Sequence, residues 1–472
     1  MAFYVYQGGE PADAVRWIYD GLPIVTANDQ IASHTDHVYL CRVYYWDGSS
    51  WEELGTLQSR GNKLNYGVFD VQTLALSGNP YTVGALQTID IESTYHEPGT
   101  PITYAGREWY IRCELGWQSS TQNATYPTNR YYRVIPGALT TPFLSVADTN
   151  TSQYVFKDNQ GFFMSTRHRV QNVIEVDLYE HDRYSVTFLA CTLRTGVTDT
   201  TYDSTVDEVR VKVFYSNGAG VETDAFDVTL EQVAVALAPT NPQTANGLLL
   251  RELSCGPKDI VSLTDGTTAV YGGGTRGKIL NGTWDKIELT LLDSGNNVLG
   301  YGVDGAIVRI NNAAKKSTNL CKSQMQLKFR NRLGGFDYVS TSMYVKQRMN
   351  VTRETYSANR LNFDQANNVV NLELNDVHQY ANRSNATLVD DVFTVCTGYI
   401  AEDHNPLIAE LLQSNEVYAR KWRDNKGGVD QVGDFYPCNI VSTDMSYMFR
   451  EADKLIEYKF DIEYSNKPRP LV

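Results

Sequence analysis

The chain has 472 residues, more than one hydrophobic core holds, because single cores stop growing at roughly 250 to 300 residues. Its 42% apolar and 20% charged residues exclude a disordered or collagen-like chain. With 41 Lys and Arg against 55 Asp and Glu the formal charge is −14, which repels phosphate and anionic lipid and argues against sequence-specific nucleic-acid binding.

From the N-terminus, Met1 to Gly9 shows no basic segment leading into an apolar run, and nowhere do about 18 apolar residues stand together. Neither a signal peptide nor a membrane-spanning helix is expected. Ala12 to Tyr19 has weak helical periodicity. Val38 to Trp46, the polar pair Asp47-Gly48 and Trp51 to Leu57 read as a β-hairpin. Tyr184 to Arg194, Val209 to Tyr215 with the turn Ser216 to Gly218, and Ile287 to Leu292 with Asp293 to Asn297 repeat the alternation of apolar and polar residues that marks antiparallel strands. The fold class expected is all-β, with several antiparallel sandwich or barrel domains in series. One short helix is expected near the C-terminus, at 406–413. Asp403 or Asn405 would cap it, Pro406 suits its first turn, and Leu407, Ile408, Leu411 and Leu412 form its apolar stripe.

Composition shifts suggest three blocks, 1–145 (one β domain or two small sandwiches), 146–240 and 241–472, with softer sequence around Ala147 to Ser152 and a Pro-containing linker from Ala238 to Gly247. Residues 465–472 carry two prolines and read as an extended tail. Seven cysteines stand singly and far apart, as reduced core residues of a chain made in a cytoplasm do. The 31 tyrosines favour strands and contact surfaces.

Candidate chemistry is sparse. Gly272 to Lys278 satisfies part of a phosphate-binding loop, but Ile279 replaces the Ser or Thr that would hold Mg²⁺, and Asn281-Gly282 follows where a helix should start. His168 between two arginines and His181 between two acids read as surface histidines, since strand neighbours point to opposite faces. His34 and His37 are the nearest approach to a metal pair, and two ligands do not make a site. Nucleophile elbows and calcium loops are absent, and no pair among the acids has context that would single it out as a glycosidase dyad. No catalytic residue, cofactor or metal is expected.

Met325, Leu327 and Phe329 alternate with Gln324, Gln326 and Lys328, which predicts a strand with one buried and one wet face. A reversal follows. Asn331 and the pair Gly334-Gly335 are expected to take positive φ, after which Phe336 and Tyr338 return to one face and Asp337 to the other, where its charge should matter little to folding.

This segment also resembles one found in large structural proteins of tailed bacteriophages, where a strand ends in an Asn-Arg-x-Gly-Gly turn followed by an aromatic and an acid. Here these are Asn331, Arg332, Gly334, Gly335, Phe336 and Asp337. Leu253 to Ile260, with Gly256-Pro257, resembles the lead-in to that domain. Glu410 to Tyr418 resembles its short helix with a Ser-x-x-Val-Tyr step, and Leu455 to Tyr464 its closing strand. A tryptophan usual in the helix is missing from Asn405 to Leu412, and the aromatics before the turn are reduced to Phe329. The resemblance implies a non-enzymatic virion component, made in the host cytoplasm, most of all a tail or baseplate protein that forms a symmetric oligomer, such as a ring, and contacts other virion proteins. A capsid decoration or head-fibre protein is the nearest alternative. A carbohydrate-binding receptor protein that meets the host surface is another, because β-sandwiches with exposed Trp and Tyr suit sugars.

Overall fold

The computed structural model describes residues 3–77, 102–135, 163–193, 202–229, 250–257, 284–312, 325–372, 382–421, 435–441 and 455–465, each stretch with short interruptions. His34, His168, His181, the glycine-rich loop Gly272 to Lys278, both composition breaks (Ala147 to Ser152 and Ala238 to Gly247) and the tail beyond Ser465 lie outside the described residues. The chain is all-β, and it folds as two compact units interleaved in sequence. The first comprises Met1–Lys322, Lys328–Ser340 and Asp403–Asn415, and the second Ser323–Leu327, Thr341–Glu402 and Glu416–Val472.

In the first unit, β1 (Phe3–Tyr6), β3 (Pro23–Asn28) and β6 (Tyr66–Asp70) form one antiparallel sheet, while β2 (Ala14–Trp17), β4 (Val38–Trp46), β5 (Trp51–Arg60), β8 (Trp109–Ser119) and β9 (Gln122–Ile135) form another in the order β2-β9-β8-β4-β5. Residues of both sheets close around one core, with Ile24 and Phe69 from the small sheet and Tyr39, Cys41, Val43, Ile111, Cys113 and Tyr132 from the large one. Alternation on β4 places Arg42, Tyr44 and Trp46 on the opposite, half-buried face. Ala12 to Tyr19 contains β2 rather than a helix, because Ala14–Trp17 gains a parallel ladder with β9 that local periodicity does not reveal. A short helix not anticipated from sequence, α1 (Gln72–Ser77), plugs the core with Ala75. The Asp70 carboxylate caps it by accepting from Gln72 N–H at 3.0 Å.

The middle of this unit holds β10 (Arg169–Val170), β11 (Val173–Leu178), β15 (Glu208–Asn217), β16 (Gly220–Thr229), β18 (Trp284–Leu292) and β19 (Ile307–Asn312), ordered β10-β11-β19-β18-β15-β16. Val209, Val211, Val213, Ile287, Leu289, Val308 and Ile310 are buried, whereas Glu175, Arg309, Glu288 and Lys286 form an ionic ladder with contacts of 2.8 to 2.9 Å. β7 (Ile102–Thr103), β12 (Ser185–Leu189) and β17 (Leu250–Ser254) make a further sheet, and β13 (Cys191–Leu193) pairs with β14 (Tyr202–Thr205). The six-stranded sheet takes strands from both sides of residue 241, and the β7–β12–β17 sheet takes strands from all three blocks. The blocks 1–145, 146–240 and 241–472 therefore do not each close their own sheets. Strand pairing over such distances leaves no local trace in composition.

β20 (Met325–Arg330) and β21 (Phe336–Thr341) form the expected hairpin, with the chain passing between units inside β20 and at the end of β21. In the second unit, β22 (Lys346–Ser357), β25 (Asn382–Ala401), β26 (Val417–Lys421), β27 (Tyr436–Ile440) and β28 (Leu455–Tyr464) are ordered β26-β27-β28-β25-β22, and β23 (Leu361–Asp364) pairs with β24 (Val369–Leu372). The expected C-terminal helix is α2 (Asn405–Gln413), within the first unit. His404 stands at its N-cap position and no side chain caps it, in place of Asp403 or Asn405; Leu407, Ile408, Ala409 and Leu411 are buried, and Leu412 only in part. Among the described residues no helix is long and apolar enough to cross a membrane.

Candidate functional site

Among the described residues of the first unit, a cluster of buried polar groups gathers on the β20–β21 hairpin, and the turn itself explains its start. Asn331 N–H donates to Gly335 O at 2.9 Å and Gly334 N–H to Asn331 O at 3.0 Å, a three-residue loop with Gly334 in the left-handed region at φ 91°. The Asn331 side-chain oxygen accepts from Leu333 N–H and Gly335 N–H, both at 3.1 Å. Of the three positions expected at positive φ, only Gly334 adopts it. Gly335 is required for another reason: a Cβ there would sit 2.2 Å from the Met164 carbonyl oxygen.

Asn331 Nδ2 donates to that same carbonyl at 2.6 Å and to Asp337 Oδ2 at 2.8 Å. Asp337 is 0% exposed. Its carboxylate also accepts from Ser165 Oγ at 2.5 Å, Thr166 N–H at 3.0 Å and Thr166 Oγ1 at 3.1 Å, with Arg167 Nε 3.9 Å away. Arg167 donates in turn to the Tyr338 carbonyl. The expectation that the charge of Asp337 matters little to folding is at odds with this buried set of partners. Asp337 gathers the segment 165–167 onto the hairpin, and a polar group so buried is tolerated only with such a set of donors.

The wet face expected for β20 is also absent at Lys328, which is 2% exposed. Lys328 Nζ contacts Glu252 Oε1 at 3.1 Å and lies 4.1 Å from the centre of the Phe336 ring. Ser185 Oγ donates to Glu252 and meets the Tyr338 hydroxyl, while Phe336 N–H reaches Thr187 Oγ1 at 3.2 Å. Gln326, in the second unit, is buried as well and accepts from Arg420 at 3.3 Å. Alternation gives the chemistry of the two faces of β20, and the face of Lys328 is closed by Glu252 of β17, a strand of another sheet.

No family model matches the chain, and no curated protein matches it significantly.

Ser185, Glu252, Lys328 and Tyr338 include the groups from which a nucleophile and its base are made, but all are buried to within a few per cent. Arg332 is the outermost member. Its Nε meets Glu410 Oε1 of α2 at 3.0 Å and its N–H meets Oε2 at 3.2 Å. Burial pushes the Glu410 carboxyl above its ordinary value, although the Thr166 hydroxyl and the Arg332 N–H pull it back. Tyr184, packed 5.1 Å from the Tyr338 ring, has its phenol pushed up strongly by burial.

Sequence reasoning found Asn331, Arg332, Gly334, Gly335, Phe336 and Asp337, which meet here. It missed Ser165, Thr166, Arg167, Ser185 and Glu252, which no spacing connects to the hairpin. Of the histidines considered, His37 stacks on Trp117 at 5.2 Å and meets the edge of Tyr39 at 4.5 Å, a packing role. Cys41, Cys113, Cys255, Cys396 and Cys438 are buried thiols. Among the described residues no group of three or more metal-ligating side chains is assembled.

Proposed function

We propose that the chain is a structural component of a bacteriophage virion, a tail or baseplate protein that joins a symmetric oligomer and contacts other virion proteins. The hairpin that carries the resemblance is tied into its unit by buried hydrogen bonds and an ion pair, which suits a structural part. The observation that carries the reading further is a ribbon in the second unit. β25 runs for 20 residues, and its Val392–Ala401 part pairs with β28, but Asn382–Asp391 pairs only with β22 among the described residues. The two strands therefore continue beyond their sheet for about 30 Å at the usual rise per residue. A two-stranded ribbon is marginal alone and offers unpaired edges, so it suits an element completed by a neighbouring subunit. Closed assembly by such head-to-tail contacts gives a ring.

Native mass spectrometry of the full chain, with and without other virion proteins, tests this. A defined oligomer is expected, and a variant with residues 352–388 replaced by an Asn-Gly turn should keep its fold yet lose that oligomer. A chain that stays monomeric in both settings and is missing from purified particles overturns the proposal. Labelling the chain in imaged particles separates a tail position from a capsid-surface one.

A further inference from the structure

We infer that the outer face of the five-stranded sheet in the first unit is a binding platform for an uncharged glycan. The face is made by alternate residues of β4, β5, β8 and β9 that point away from the core. Trp46 and Trp51 meet edge to face at 5.4 Å, Tyr131 lies 5.9 Å from Trp51, and all three rings are half-buried. The Arg112 guanidinium sits 4.2 Å over the Tyr44 ring and 5.2 Å over Trp51. The solvent side of an antiparallel sheet is ordinarily polar, so a contiguous set of indole and phenol rings there marks an interaction surface.

The charges on the face identify the occupant. Arg42 approaches both Glu53 and Glu114 at 3.7 Å, and Arg112 meets Glu114 at 3.2 Å, so two cations offset two anions. The Tyr44 hydroxyl donates to Glu114 at 3.0 Å and accepts from Arg42 at 3.3 Å. Around Trp46 and Trp51 these charges cancel, and Arg133 farther along the face is fully buried with its guanidinium donating to the Tyr110 hydroxyl, so the patch of rings presents no net charge to attract a phosphate, a sulfate or a basic peptide. It does present held rings beside guanidinium and carboxylate edges with hydrogen-bonding capacity left over, since the Arg42 and Glu53 side chains remain 33% and 48% exposed. A pyranose fits both features: its C–H faces stack on rings and its hydroxyls pair with the flanking groups. A protein partner fits less well, because the cores of protein interfaces are depleted in acidic residues, and a dry seam would strip water from the Arg–Glu pairs. Rings already locked against each other and against Arg112 lose little freedom when a ligand arrives.

The test is an array carrying neutral oligosaccharides alongside sialylated and sulfated ones, probed with the full chain, followed by titration of the best neutral glycan while tryptophan fluorescence is read. Binding confined to neutral glycans is expected, with Trp51→Ala weakening it about tenfold or more, Trp51→Tyr weakening it less, and circular dichroism unchanged in both. The inference is overturned if no neutral glycan binds at millimolar concentration, if charged glycans are preferred, or if folded Trp51→Ala binds as the parent does. It is equally overturned if a virion protein protects Trp51 from chemical oxidation and no neutral glycan does. None of these outcomes depends on the oligomer proposed above.

Discussion

Two turns of the first unit share one backbone design and differ in almost everything else. In Asp293 to Asn297, Asp293 N–H donates to Asn297 O at 3.0 Å, Asn296 N–H returns to Asp293 O at 3.0 Å, and Asp293 Oδ1 accepts from Gly295 and Asn297 N–H at 2.8 Å each. Asn331 to Gly335 repeats every one of these bonds with Asn331 in the place of Asp293. The left-handed position is filled by Asn296 at φ 60° in one and Gly334 at φ 91° in the other. Yet Ser294 to Asn297 is exposed, whereas Asn331 and Leu333 to Asp337 are buried. Local hydrogen bonding makes the turn, and burial decides what depends on it.

The largest contrast is expected at the carboxylates. Asp337→Ala removes the acceptor for Ser165, Thr166 and Asn331 and leaves Arg167, whose side chain is 9% exposed, without its nearby anion. A loss of about 3 to 5 kcal/mol follows from leaving buried partners uncompensated. Asp293→Ala, whose donors turn to water, should cost little. Urea denaturation of both variants measures the difference, and equal losses would show that burial does not separate the turns.

Next in size are the glycines. Gly335→Ala drives a Cβ into the Met164 carbonyl and should cost about 3 kcal/mol, as overpacking against backbone does. Gly334→Ala carries only the left-handed penalty of about 1 to 2 kcal/mol, and Gly334→Asn should recover part of it, because Asn296 and Asn65 both adopt that conformation. Thermal melts ranking Gly334→Ala below Gly335→Ala would contradict this.

A smaller effect, and a sharper one, comes from exchanging the first residues of the turns. Asp293→Asn should be nearly silent. Asn331→Asp preserves the acceptor but puts a second carboxylate where Asn331 Nδ2 now donates to Asp337 at 2.8 Å. Repulsion and a lost donor should cost about 2 kcal/mol at neutral pH. Urea denaturation of the two exchanged variants at neutral pH measures the difference.

These contrasts mark what the sequence could reveal. The strands Val38 to Trp46 and Leu455 to Tyr464, and the turn at Asn331, were legible because alternation and turn chemistry are local. The burial of Asp337 and Lys328 was not legible. It depends on Ser165, Thr166 and Arg167, more than 160 positions from the hairpin in sequence, and on Glu252, 76 positions from Lys328. The domain blocks failed to match the sheets for the same reason, since β15 pairs with β18 across the apparent linker. The aromatic platform falls between these cases. Trp46 and Trp51 are read as a hairpin at once, but Arg112 and Tyr131 join them only through the register of β8 and β9.

The smallest expected effect reverses in sign between the two regions. Burial raises the Glu410 carboxyl, reinforced by nearby Asp337, and outweighs the Thr166 hydroxyl and the Arg332 N–H and charge. An unfolded glutamate releases its proton near 4.5, so Glu410 contributes stability that is complete below that pH and is lost as pH rises through its higher folded value. Asp293 behaves oppositely. Its carboxyl is lowered by the Asn297 side chain and by the Asn297 and Gly295 N–H groups, so its contribution is present above 3.8 and is lost as pH falls through its lower folded value. Glu410→Gln should therefore match the parent in acid and equal or exceed it at neutral pH, by no more than about 1 kcal/mol, because Gln retains the shape and drops the buried charge. Asp293→Asn should match the parent in strong acid and fall slightly below it at neutral pH. Denaturation of both variants from pH 3 to 7 measures these slopes. If Glu410→Gln instead loses stability only at neutral pH, the ion pair with Arg332 outweighs the burial of Glu410, and α2 is fastened to the hairpin by charge.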